Sequence, residues 1–322
     1  MWIDHVHFYV EDAKQWRDWF VHLMGFRAIA SKNDGTTITE IVSSQEIVFW
    51  LSSPIKLTSP VAKYLRLHPP GVVDLAFLVE NLEPILARAT THQVSVLGSP
   101  RRCQLITPFQ FKHTLIEGNR VKPVGGRWFT HIDHLVLNVA QGELQMMVKW
   151  YETIFGFQSQ QSFLVSTERS ALSSQVMVHP KSGIQLPINE PVDANSQIQE
   201  FLDLNGGAGI QHIALFTPEI TFAVSQLRDS GLKFLAIPDD YYQQLLAFNL
   251  SEEEYQQLKT QGILADIQST SKLLQIFTEP IFSAPTFFFE LIERREKAQG
   301  FGAANFQVLF EAIEREQIKR SI

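Results

Sequence analysis

The sequence predicts an α+β protein of two tandem domains, each built from two βαβββ-type modules, with a further helix at the C-terminus. Three observations carry this. Trp2-Ile3-Asp4-His5-Val6-His7-Phe8 returns as His131-Ile132-Asp133-His134-Leu135-Val136-Leu137. Each copy is followed by an amphipathic helical pattern that closes on Gly-Phe, at Gly25-Phe26 and at Gly156-Phe157. Val72-Val73-Asp74-Leu75-Ala76-Phe77-Leu78 likewise lines up with Ile210-Gln211-His212-Ile213-Ala214-Leu215-Phe216. Self-similarity of this kind means one folding unit used twice.

Residues 3–10 read as a strand, with apolar residues around His5 and His7. Over 13–24, Trp16, Trp19, Phe20, Leu23 and Met24 fall at helical spacing. Gly25 ends that helix where a left-handed residue carries little strain. Residues 37–42 and 46–51 read as strands. The second module has a strand at 72–78, a helix at 82–91 and a closing strand at 109–116. Residues 118–128, with Pro123, Gly125 and Gly126, read as a connection. The domains are therefore expected at 1–120 and 129–322.

The second copy follows the same plan. A strand at 132–139 precedes a helix with Leu144, Met147, Val148, Tyr151, Ile154 and Phe155 on one side. A strand at 210–216, a helix at 220–230 and strands at 272–277 and 285–292 complete it. Residues 241–262 are an acidic, amphipathic insertion, expected to form a helical hairpin or the base of a lid. Phe306, Leu309, Phe310 and Ile313 give the C-terminal extension a helical period.

The net charge of -7, without a clustered basic run, argues against a nucleic-acid partner. A single cysteine, Cys103, cannot form an intramolecular disulfide, and a reduced cytoplasmic setting fits. The N-terminus has neither a basic nor an apolar signal region, and no apolar run approaches the roughly 20 residues of a membrane helix. Twenty-four Phe against 6 Tyr and 6 Trp bring aromatic bulk without hydroxyls to satisfy, which suits a dry core or a dry pocket.

The repeat is an internal comparison. At three equivalent positions the first copy has His5, Asp74 and Thr114, and the second has His134, His212 and Glu290. Alone, His134 is better read as a hydrogen-bonded core histidine. As a trio on three strands, two histidines and a carboxylate match the facial triad of non-haem iron. Glu290 strengthens this, because a carboxylate inside Thr286-Phe287-Phe288-Phe289-Glu290 is costly to bury unless paired or coordinated. His5, His7, His22, His68, His92, His113, His131 and His179 are read as ordinary histidines. With Thr114 in place of the third ligand, the first domain is expected to be structural and metal-free. Strand alternation puts Thr286, Phe288 and Glu290 on one face, Gln275 with Phe277, and His134 with Val136 and Asn138. A metal centre walled by Phe and dotted with neutral amides follows.

His134, His212 and Glu290, with Leu186-Pro187-Ile188-Asn189-Glu190-Pro191, Ser196-Gln197-Ile198-Gln199-Glu200, residues 206–215, Leu274-Gln275-Ile276-Phe277-Thr278 and Gly300-Phe301-Gly302, resemble the family of 4-hydroxyphenylpyruvate dioxygenases. The resemblance is specific over about residues 131–317 and rests on the repeat before that. It implies the vicinal-oxygen-chelate (glyoxalase-like) fold, with open half-barrels, and Fe(II) on the triad. It implies oxidative decarboxylation of a 2-oxo acid with dioxygen, ring hydroxylation and side-chain migration, giving homogentisate and carbon dioxide. It also implies a homo-oligomer. By the same resemblance Gln275 and Phe306 hold catalytic positions. Ser174, Pro187, Asn189, Gln197, Gln211, Gln275, Phe277, Phe288, Phe301, Phe306 and Phe310 hold substrate-pocket positions. An ideal strand would point Gln211 away from the metal, so its role needs a local twist. Ala303-Ala304-Asn305 departs from the family, which usually keeps a second glycine there.

Three rivals share this fold. Hydroxymandelate synthases use the same substrate, iron and triad but hydroxylate the benzylic carbon; Phe306 and Pro187 here follow the dioxygenases. Metal-free binding modules lack the triad. Extradiol ring cleavage would need an acid–base histidine near the metal, for which the second copy offers only His179.

Overall fold

The computed structural model describes residues 1–99, 101–119 and 125–320, apart from the side chains of Ala303 and Ala304. Pro123 of the expected connection lies outside them. The first half runs β1 (Trp2–Tyr9), α1 (Ala13–His22), β2 (Arg27–Asn33), β3 (Thr37–Ser44), β4 (Ile47–Pro54), α2 (Pro60–Leu65), β5 (Gly71–Val79), α3 (Glu83–Thr91), β6 (Val96–Ser99), β7 (Arg102–Ile106) and β8 (Lys112–Glu117). The second runs β9 (His131–Asn138), α4 (Leu144–Phe155), β10 (Gln158–Ser166), β11 (Ala171–Val178), β12 (Gln185–Pro191), α5 (Gln197–Asn205), β13 (Gly209–Phe216) and α6 (Ile220–Asp229). It continues through α7 (Asp239–Leu245), α8 (Glu252–Gln261), β14 (Leu264–Gln268), β15 (Ser271–Phe277), β16 (Phe288–Arg295) and α9 (Ala303–Arg320).

Two mixed sheets of eight strands result, ordered β2-β3-β4-β1-β5-β8-β7-β6 and β10-β11-β12-β9-β13-β16-β15-β14. The permutation is the same in both, as the repeat requires. Within each module the first strand pairs parallel to the last, and the modules meet along an antiparallel pair, β1 with β5 and β9 with β13. The architecture is α+β, and a sheet so arranged curls into an open half-barrel.

Helices form where the sequence supplies both a stripe and an end. Asp12 caps α1 through the Lys14 and Gln15 amides, and Gly156 ends α4 in the left-handed region at φ 77°. The short helices α2 and α5 are additions to the sequence reading. Ser59 and Ser196 cap them; α2 has only six residues, while the Ile198, Phe201 and Leu202 stripe of α5 is a helical signal that the sequence reading passes over. The insertion holds α7 and α8. Among the described residues no helix is long and apolar enough to cross a membrane.

Alternation along β16 divides two jobs. Glu290 faces the interior of its own half-barrel, whereas Phe287 and Phe289 turn towards the first sheet. Phe287 meets Phe8 edge-on at 5.3 Å, and Phe289 packs on Phe20 and Phe49, both at 5.9 Å. His113 of β8 is a second strut, bonded to Leu75 O at 3.1 Å and to the Tyr151 hydroxyl of α4 at 2.9 Å.

Candidate metal centre

The three central strands of the second sheet, β9, β13 and β16, each present one ligand-type residue. Register brings them together: Ala214 stands opposite both His134 and Glu290, and His212 pairs with Val136 and Phe288. All three are buried. Their candidate ligand atoms lie within 4.8 Å of one another. His134 Nε2 is 3.2 Å and His212 Nε2 3.7 Å from Glu290 Oε2.

The ring nitrogens facing away from this point are committed. His134 Nδ1 donates to Asp133 Oδ1 at 2.8 Å, and Asp133 is held by both arms of the Arg294 guanidinium at 2.7 Å. Arg294 also donates to the Ala298 and Gly300 carbonyls, in the turn that leads to α9. His212 Nδ1 meets Gln211 Oε1 at 3.3 Å. Glu290 Oε1 accepts from Gln275 Nε2 at 2.8 Å. Each ligand thus has an orienting partner that leaves Nε2 or Oε2 for a cation, the arrangement expected around a bound metal. Donor atoms of two cis ligands about 2.1 Å from a metal stand roughly 3 Å apart, so the spacing fits.

Burial pushes His134 towards neutrality, but the Glu290 carboxylate and the Asp133 bond outweigh it and raise its pKa to about 9. Burial, reinforced by His134, pushes His212 well below its ordinary value. Burial raises the Asp133 carboxyl less than the Arg294 and His134 bonds lower it, and it stays well below the usual carboxylate range.

Gln211 does face the site. The β13–β9 ladder shifts register between Ile210 and His212, so Gln211 is an extra, bulged residue. Ladder alternation is broken there, and Gln211 and His212 line the same cavity. The first copy carries the same irregularity: His7 pairs with Asp74 and Phe8 with Val72, leaving Val73 over.

The remaining expected residues fall into three adjoining cavities. Ser174, Pro187, Gln275, Phe277, Phe301 and Phe306 line the one that opens on the triad, with Val136, Phe163, Val176 and Leu309. Asn189, Gln197, Gln211 and Phe310 line a second, which Phe306 and Leu309 separate from the first. Phe288 stacks on His212 at 4.7 Å and lines a third, shared with Gln197 and Gln211. The first two have free volumes of only about 20 Å³ each. Phe310 also packs in a cluster with Leu172, Ile198 and Phe201. Phe301 sits in the turn before α9, not in the helix, and meets the His134 ring edge-on at 5.1 Å. Thr286 lies just before β16, also outside the ladder.

Among the described residues, three polar atoms beside the second cavity have no partner: Asn138 Nδ2, Asn189 Oδ1 and Gln197 Oε1. Buried amides left so are suited to a polar ligand group. His179 bonds to Ser182 and borders none of these cavities.

Sequence reasoning missed Asp133, Arg294, Asn305 and Phe163 as parts of the site. Asp133 had a signal, because the first copy repeats the Asp-His pair and Asp4 meets His5 Nδ1 at 2.6 Å. Nothing in the sequence marks Arg294. In the first copy the equivalent centre is filled by its own side chains. Trp50 stacks on His5 at 4.1 Å, and Asp74 accepts from the Thr114 amide at 2.8 Å, from the Thr114 hydroxyl and from Gln104.

The family model of the Glyoxalase/Bleomycin resistance protein/Dioxygenase superfamily matches residues 2–103 and 131–278. An uncharacterised protein of Synechocystis sp. is 36% identical over 98% of this chain and 97% of its own length. The 4-hydroxyphenylpyruvate dioxygenase of Yarrowia lipolytica is 36% identical over 98% of this chain and 92% of the relative, and that of Caenorhabditis elegans matches to the same extent. Among solved structures, a mutant 4-hydroxymandelate synthase from Streptomyces coelicolor superposes with a TM-score of 0.90 at 26% identity, over 98% of both chains.

Proposed function

The chain belongs to the Glyoxalase/Bleomycin resistance protein/Dioxygenase superfamily and, within it, to the family of the 4-hydroxyphenylpyruvate dioxygenases, and from that premise we propose that it is an iron(II) enzyme converting 4-hydroxyphenylpyruvate and dioxygen to homogentisate and carbon dioxide. The observation that carries the reading is a buried His134–His212–Glu290 group opening into a Phe-walled cavity. Iron(II), when bound there, supplies the chemistry with dioxygen and an electrophilic anchor for the 2-oxo acid.

The rest falls to this chain's own residues. His134, His212 and Glu290 hold the cation. Phe277, Phe288, Phe301 and Phe306 wall the aromatic ring and exclude water. Asn189, Gln197 and Gln211 offer amide groups to the phenol, and Ser174 and Gln275 line the approach to the triad. Gln275 also holds Glu290 in place. Pro187 and Phe306 set where the ring lies, and Phe310 supports α9 from behind. We read residues 1–120 as a structural, metal-free domain and 129–322 as the catalytic one, working in a cytoplasmic homo-oligomer.

The second reading is 4-hydroxymandelate synthesis, favoured by the likeness to the synthase. Purified enzyme given Fe(II), ascorbate and 4-hydroxyphenylpyruvate separates the two. Homogentisate as the main product supports the first reading, and 4-hydroxymandelate supports the second. Absence of both products, together with failure to bind a divalent metal, leaves a binding module of the same fold.

A further inference from the structure

The insertion before β14 has no counterpart in the first copy, and the metal centre as described does not use it. Its first helix, α7, places Tyr241 under the turn that starts α9. The ring is buried and its hydroxyl accepts from the Ala265 amide at 2.7 Å. Its one proton has two acceptors within reach, Asn305 Oδ1 at 3.1 Å and Ala265 O at 3.2 Å. Asn305, itself fully buried, donates through Nδ2 to Gln275 Oε1 at 2.8 Å, and Gln275 Nε2 donates to Glu290.

The direction of every bond in this chain follows from its end. Glu290 as a carboxylate only accepts, so Gln275 turns Nε2 towards it and Oε1 away. Oε1 then requires a donor, which fixes Asn305 with Nδ2 towards Gln275 and Oδ1 towards Tyr241. Oδ1 in turn requires a donor, and Tyr241 has the proton. Each amide is oriented by its neighbours, Gln275 Nε2 also reaching the Phe301 carbonyl at 3.4 Å, and the tyrosine hydroxyl closes the series at Asn305. Gly302 admits the close approach: at φ 67°, a Cβ there would stand 2.2 Å from Gln275 Oε1.

We propose that the Tyr241 hydroxyl is a positioning group for Glu290, acting through Asn305 and Gln275. It anchors the amide series that keeps Gln275 donating to the carboxylate, and so couples the insertion and the start of α9 to the geometry of the metal site. Without the hydroxyl, Asn305 Oδ1 loses its donor, the Asn305 hold on Gln275 Oε1 loosens, and Gln275 is positioned by Glu290 and the Phe301 carbonyl alone. The inference rests on the triad being the metal site.

Co(II) is the probe, with its visible ligand-field spectrum as the readout of geometry, and wild-type binding tests the triad reading by itself. Tyr241→Phe keeps the ring and removes the hydroxyl. The expected result is Co(II) binding weakened about threefold to tenfold, less than or equal to the loss from changing a direct partner of a ligand, with an altered spectrum. In a Gln275→Ala background, where the chain is already cut, Tyr241→Phe should have no further effect on Co(II) binding. Unchanged affinity and spectrum in Tyr241→Phe would overturn the proposal. So would an equal loss in both backgrounds, since that marks a role in folding alone. Should Tyr241→Phe not fold, Asn305→Ala cuts the chain one link nearer the metal and is read in the same way.

Discussion

Gln211 Oε1 lies 3.3 Å from Nδ1 of His212, although the two residues are consecutive on one strand. Regular pleating would put them on opposite faces. The bulge lets one histidine and its orienting group come from adjacent positions. With Nε2 turned to the metal, Nδ1 carries the proton and Gln211 accepts it. Gln211→Ala should therefore weaken metal binding about tenfold, whereas Gln211→Glu, which still accepts, should bind at least as well as wild type. Metal titration of the three proteins checks this, and equal affinity of the alanine variant would refute it.

Glu290→Ala is expected to lose at least tenfold in metal affinity and with it the activity, while the fold survives. The space left behind adjoins a cavity and can take up water. Metal content, turnover and circular dichroism together check this; wild-type turnover would remove Glu290 from the site.

Phe306 faces Phe163 at 6.1 Å, with the rings 28° from parallel, across the cavity that opens on the triad. Phe306→Val or Phe306→Ile removes half of that pair and lets the substrate ring drift. The expected outcome is a rise in 4-hydroxymandelate relative to homogentisate of about tenfold, which needs only about 1.4 kcal/mol of changed preference. An unchanged product ratio by chromatography would count against the positioning role.

A free volume of about 20 Å³ is too small for the proposed arylpyruvate, and Phe306 and Leu309 make α9, among the described residues, the one helix whose shift would enlarge it. Glu314 fastens that helix by accepting from the Thr167 and Ser170 hydroxyls at 2.9 and 2.8 Å. Glu314→Ala should raise the association rate of substrate severalfold and leave the metal affinity unchanged. Stopped-flow binding and metal titration measure the two quantities; a slower association rate would mean that the fastening aids entry.

Acid should weaken the strut between the two sheets. Burial, partly opposed by the bond to Leu75 O, lowers the pKa of His113 from 6.5 to about 4. Between those values the unfolded chain binds a proton that the native state refuses. Stability is therefore full above about pH 6.5, declines as pH falls, and the loss is complete below about pH 4. By about pH 4.5 the loss is on the order of 2.5 kcal/mol. Burial of His7, lowered to about 3, acts in the same sense, so the comparison is with a variant. Urea denaturation at pH 7 and about pH 4.5 should show wild type losing more than His113→Gln by that amount, and equal losses would exclude His113 as the source.

The strands and longer helices that recur in both copies were legible because the repeat doubled their weak signals. In contrast, β2, β6, β7, β10, β11, β12 and β14 were not placed, the edge strands β2, β6 and β10 being exposed along nearly their whole length and so without alternation. The triad was read from the comparison of the copies, and the pocket amides from the family resemblance. Asp133 could have been read from the repeated Asp-His pair, but Arg294 was not legible, because a bidentate ion pair 161 residues apart leaves no local pattern. The bulge at Gln211 was hidden for a different reason. It is a single-residue irregularity in a ladder, and periodicity over eight residues cannot register it.

The alternation of β16 has a consequence for anyone wishing to dissect the protein. The strand that delivers Glu290 is gripped from behind by rings of the other half, through Phe287 and Phe289. Excising residues 129–322 would bare both rings to water and leave the strand without its backing. The first copy is thus the anvil on which the strand carrying Glu290 is set. The two halves share one apolar core, so neither is a module that can be traded alone.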